Sequence, residues 1–136
     1  MKDWILPTIG VFICWGLWGF FPKITVKYID PKSAIIYEVL GGILLAFIVA
    51  FFSKFQIASH PLGILFALLV GIIGFLGSLF FLYAVSNGPI TLVVTLSALY
   101  PILSIMLAMI FLNETITIKQ GIGILFALIA LVMVGT

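Results

Sequence analysis

The sequence predicts an all-α, multi-pass transmembrane bundle of five helices, and three observations predict it. Hydrophobic residues make up 65% of the 136 and charged ones 7%, where a soluble globular protein carries about 25% charged residues. The apolar residues fall into five runs, at 4–21, 33–52, 62–85, 89–112 and 118–135. Each is at or near the roughly 20 residues that carry a helix across a ~30 Å hydrocarbon core. The charges and turn formers gather in or beside the connections, where a chain leaves lipid for water, and Glu38 alone stands away from the ends of a run. The bilayer is the expected partner, and the cell (inner or plasma) membrane the expected location.

The first run follows the basic start of a secretion signal, MKDWILP, but leads into Trp15, Trp18 and Phe20-Phe21-Pro22 rather than a small-x-small cleavage pattern. It reads as a retained span. Thr8, Phe12, Trp15 and Gly19 share one helical face, with Trp18 at its edge. Trp usually marks the lipid interface. Trp15 lies too deep for that, so it either lines a cavity or packs between helices. Cys14, the single cysteine, reads as a small residue among apolar neighbours.

The second run is uncharged except for Glu38, five places in. An ionisable group at such depth costs up to about 3 kcal/mol by insertion scales, so it faces a bundle interior or a watery cavity. Ala34, Gly41, Gly42 and Leu45 share its face and leave room for a close helix or a ligand. Pro31, Pro61 and Pro89 stand where the second, third and fourth helices should open, a place where a missing N–H does no harm. The third run carries Ala67, Gly71, Gly74 and Ser78 along one stripe, which reads as helix packing. Ser86-Asn87-Gly88-Pro89 is a turn signal.

In the fourth run, Pro101 removes a backbone bond and strains the carbonyl of Ser97. Ser97, Tyr100 and Ser104 fall within a sector of about 60°, a polar strip with the kink in its middle. Broken helices of this kind line solute paths in transporters; a kink packed against neighbours is the plainer alternative. The fifth run presents Gly123, Ala127 and Ala130, a small-xxx-small surface suited to dimerisation. Glu114, Lys119 and His60 read as interfacial or loop charges. GILFAL occurs at 63–68 and 123–128, which in so apolar a chain is coincidence.

A net charge of +2 without a basic cluster excludes a nucleic-acid partner. No HExxH, CxxC, GxGxxG, P-loop or Ser/His/Asp set is present, so enzymes of those kinds, metals and cofactors are not expected. One domain, 1–136, is expected. Orientation is balanced. With five spans, Lys2, Lys54 and Lys119 fall on one side of the membrane and Lys23, Lys27 and Lys32 on the other. The positive-inside rule therefore gives no preference. The expectation is dual topology, with the chain pairing antiparallel with its own copy.

The second half then becomes familiar. Tyr83-Ala84, Gly88-Pro89, Pro101, Phe111-Leu112-x-Glu114, Gln120-Gly121 and Gly135 stand in the order found at the end of an EamA domain. Trp15-Gly16 and Lys23 look like that family's first helix and its exit lysine. The chain resembles the EamA-domain family of the drug/metabolite transporter superfamily over essentially its whole length. Many members carry two such five-helix units in inverted tandem, and many carry Arg near the place of Glu38. This chain has one unit, which can rebuild the inverted pair as an antiparallel dimer with itself or with a paralogue.

The resemblance implies transport of a small organic solute by alternating access. Glu38 is the expected proton-coupling group and part of the substrate site. Trp15, Trp18 and Tyr100 are expected to hold a cationic or amine-bearing solute by their ring faces, at about 0.5–2 kcal/mol each, with Ser97 and Ser104 beside them. Alternatives are a metabolite or amino-acid carrier without proton coupling, in which Glu38 bonds Tyr37 or a backbone group, and a non-transporting subunit of a larger complex. A channel fits poorly, since nothing resembles a selectivity filter. Topology reporters fused to each terminus should find both orientations, and one added Lys at either terminus should drive the population one way; a wild type in a single orientation ends the antiparallel expectation.

Overall fold

The computed structural model describes residues 3–135, with side chains as far as Met133. Lys2, one of the lysines in the orientation tally, and the two chain ends lie outside the described residues. The order is α1 (Ile5–Thr25), α2 (Pro31–Phe52), α3 (Pro61–Asn87), α4 (Ile90–Ser97), α5 (Tyr100–Phe111) and α6 (Ile118–Gly135), with no strand among the described residues. Helices α1, α2 and α3, and α4 with α5 taken together, are long and apolar enough to cross a membrane; α6 is a shorter apolar helix. Five spans in the expected order fit a membrane bundle. The chain forms two compact units, α1–α3 and α4–α6.

In the first unit, α1 and α2 pack on α3. Helix α1 runs four residues past its expected end, through Pro22 to Thr25. A proline forfeits its own N–H and crowds the carbonyl four residues back, but its own carbonyl is free to accept, and Val26 N donates to Pro22 O at 3.0 Å. Lys23, expected beside a connection, therefore lies inside a helix. Helix α2 opens on Asp30, an extended residue whose Oδ1 accepts from the backbone of Lys32 at 2.9 Å and Ser33 at 3.1 Å. Its Oδ2 accepts from Ser33 Oγ at 2.6 Å. Pro31 follows at the first helical position, where its fixed φ favours the helix.

Helices α2 and α3 run antiparallel in a register that pairs Glu38 with Ser78 and Gly42 with Phe75. A Cβ on Gly42 would meet Phe75 Cζ at 3.0 Å, so the glycine admits the ring. Ala34, Ser78, Phe81, Leu82 and Val85 are buried, and the core lies where the start of α2 meets the end of α3. Of the small-residue stripe on α3, Ser78 is buried and Gly71 half-buried, while Ala67 and Gly74 are exposed. Most other large apolar side chains are exposed on the isolated chain, as a lipid-facing surface requires.

In the second unit α4 packs on α6. The fourth run breaks at Ala98-Leu99, just before Pro101. Leu99 N bonds Leu96 O at 3.2 Å and Ile102 N bonds Leu99 O at 3.1 Å, both three residues back. Pro101 enters the first turn of α5, so one expected kinked helix becomes two. Helix α6 opens on a reciprocal capping box: Thr117 N donates to Gln120 Oε1 at 2.8 Å, and Gln120 N donates to Thr117 Oγ1 at 3.3 Å.

The hydroxyl and backbone of Ser33 hold the Asp30 carboxyl below its ordinary value of 3.8. The folded state therefore binds this proton less readily than the unfolded one. The capping contribution is complete above the unfolded value and fades as pH falls through 3.8 toward the lower folded value. Asp30→Asn keeps an acceptor but does not titrate. The wild-type melting midpoint in detergent should thus fall more steeply than that of Asp30→Asn between about pH 5 and pH 3; parallel curves would refute the cap's role.

Candidate functional site

Three helices of the first unit bring polar groups to one point. Helix α2 supplies Glu38, which is half-buried. Helix α1 supplies Trp18, whose Nε1 donates to Glu38 Oε1 at 2.8 Å. Helix α3 supplies Ser78, 3% exposed, whose Oγ donates to the same oxygen at 2.5 Å. Both donors converge on Oε1, and Oε2 accepts no hydrogen bond among the described residues. The Trp18 ring rests against Phe81, with centroids 5.0 Å apart at 34°, which fixes the indole N–H on the carboxylate. One turn along α2, Phe75 closes over Gly42.

This arrangement distinguishes the two oxygens. Oε1 ties α1 and α3 to α2 and satisfies a carboxylate that apolar surroundings would otherwise penalise. Oε2 takes no part in either of these two bonds. Neither Tyr37, which is 65% exposed, nor a backbone group is the partner that sequence reasoning suggested.

The structure does not gather the other expected site residues around Glu38 within this unit. Trp15 lies on α1, 58% exposed, about 60° around the helix from Trp18. Ser97, Tyr100 and Ser104 belong to the second unit. Ser97 ends α4 and its Oγ donates to Val94 O at 3.0 Å, while Tyr100 begins α5, 52% exposed. The break between them ends the continuous polar strip that a single helix would present. Ser104 lines a pocket of about 270 Å³ with Ala108, Met109 and Glu114. On α6, Gly123, Ala127 and Ala130 are exposed, while Gly121, Ile124, Leu128 and Leu131 form the half-buried side.

Ser78 is the partner of Glu38 that sequence reasoning missed. It read as one of four small residues in a packing stripe. The signal that would have found it is the antiparallel register, which sets the hydroxyl of Ser78 opposite the lone acid of α2. Ser78→Ala should lower stability in detergent by about 1–3 kcal/mol, the range for loss of a hydrogen bond to a charged, partly buried acceptor. Ser78→Thr, which keeps the hydroxyl, should retain most of it. An alanine variant as stable as wild type would show that the bond contributes nothing.

Comparison with known proteins agrees with this architecture. The model of the EamA-like transporter family matches residues 2–136. An uncharacterized protein of Methanocaldococcus jannaschii is 28% identical over 133 residues, spanning 98% of this chain and 96% of that protein. No solved structure matches the chain. A bundle of apolar helices, the ordered motifs of its second half and a family match along its length together make this chain a member of the EamA-like transporter family.

Proposed function

We propose that the chain moves a small organic solute across the membrane by alternating access, with Glu38 as the group that exchanges a proton for a cationic or amine-bearing solute. The observation that carries this reading is the two-donor arrangement on Oε1. It holds a carboxylate at membrane depth without consuming both of its oxygens. Members of the family are small-solute transporters, and an ionisable group inside a span marks a solute or proton path. Trp15 and Trp18, on the helix beside Glu38, offer exposed ring surface to a cation. Within the second unit, Tyr100, Ser97 and Ser104 lie along the broken fourth span.

The working form is an antiparallel homodimer, supported by the three-to-three lysine tally. The exposed stripe of Gly123, Ala127 and Ala130 serves as its contact, and the cell (inner or plasma) membrane is its place. Pairing with a paralogue would serve the same geometry.

A second reading is favoured by the bonds themselves. Glu38 ties three helices together, and a metabolite or amino-acid carrier without proton coupling needs nothing more of it. Glu38→Gln separates the two, because the amide keeps an acceptor for Trp18 and Ser78 but cannot exchange a proton. In proteoliposomes it should leave the protein folded and reduce proton-driven flux of an amine-bearing solute by at least about 100-fold, in line with the 10²–10⁴-fold scale of positioned proton transfer. Flux that survives with its proton dependence intact assigns Glu38 to the structural role.

A further inference from the structure

A second charged group lies in the last turn of α1, and the proposed transport step does not use it. Lys23 is half-buried on α1, and its Nζ donates to the backbone carbonyl of Val85 at 2.6 Å. Val85 is fully buried, at 0% exposure, so water does not readily serve that carbonyl. It belongs to the last turn of α3, which ends at Asn87, where carbonyls have no intrahelical donor. The residue four places on is Pro89, which has no N–H to give.

Side chains of the same turn also donate to its carbonyls. Ser86 Oγ and Asn87 Nδ2 each donate to Tyr83 O at 2.8 Å. A buried carbonyl without a donor is unfavourable, and a cation at a helix C-terminus also meets the negative end of the dipole.

We infer that Lys23 is a positioning residue: its ammonium takes the place of the N–H that Pro89 lacks and pins α1 to the end of α3, which keeps Trp18 within bonding range of Glu38. Trp18 stands five residues before Lys23 on α1. Its indole bonds α2 through Glu38 and lies on Phe81 of α3, four residues before Val85. Two tethers little more than one turn apart thus fix both the tilt and the rotation of α1. Without the Lys23 tether, the ring contact with Phe81 must hold the indole N–H in line with less support from the end of α1. The consequence for transport rests on the reading of Glu38 above; the structural link does not.

The test uses the full chain labelled with 5-fluorotryptophan in lipid nanodiscs, with the Trp18 fluorine resonance assigned through Trp18→Phe. Lys23→Met keeps the length of the side chain and removes the donor. It should lower the melting midpoint by at least about 5 °C and move the Trp18 resonance toward its position in Glu38→Ala. Lys23→Gln, with a neutral donor, should fall between Met and wild type, and it carries the test if the methionine variant does not accumulate. A Trp18 resonance unmoved in both variants overturns the inference, even if stability falls. Should Glu38→Gln transport normally, the proton-coupling proposal fails while the Trp18 readout still decides this one.

Discussion

Lipid offers no hydrogen bonds, and that single constraint accounts for most of the polar chemistry here. Every polar group at depth must find a partner within the protein or face a cavity. The carboxylate of Glu38 meets this demand with two donors from two different helices, so satisfying one acid also sets the relative positions of three spans. An apolar side chain at position 38 would relax that geometry, because van der Waals contact between a helix and lipid is about as good as contact between two helices. Specific polar bonds are what distinguish one arrangement of α1, α2 and α3 from its neighbours.

The same demand shapes the helix ends, each with a different device. Asp30 closes the start of α2 with carboxylate oxygens. Thr117 and Gln120 close the start of α6 by exchanging bonds. The end of α3 has no such local solution for Val85, since a proline follows four residues on, and it borrows an ammonium from α1. Prolines open the helices and thereby create donor-free positions. The residues that compensate can come from far along the chain.

Much of this was legible in the sequence, and the parts that were not share a cause. Span number, order and approximate limits follow from apolar run length, which lipid thickness dictates directly. Glu38 was visible as the one charge away from the ends of a run. The apolar run ends at Phe21, but the helix does not, since Pro22 forfeits one bond and the chain continues to Thr25. The break at Ala98-Leu99 was foreseen as a kink at Pro101 but not as a division into two helices, since local strain does not reveal how far the ladder opens. Ser78 was hidden because helical periodicity assigns faces within one helix, while its role depends on the register between two. Lys23 was read as an exit lysine for the same reason, as nothing near it in sequence indicates that Val85 lacks a donor.

The division of labour between the two oxygens of Glu38 has a consequence for coupling on the proposed reading. Trp18 and Ser78 both donate to Oε1, and a proton on Oε2 leaves both bonds in place. Loading and unloading that proton therefore need not disturb the packing of α1, α2 and α3; what changes is charge. An uncompensated carboxylate at this depth is the unfavourable state, by up to about 3 kcal/mol on insertion scales, and either a proton or a cationic solute at Oε2 relieves it. Exchange of one for the other then follows from the price of leaving the site empty, and the ties on Oε1 keep the acid in place through both halves of the cycle. A glutamine would preserve the ties and lose the exchange, which is why the choice of an acid at this position carries more information than its depth alone.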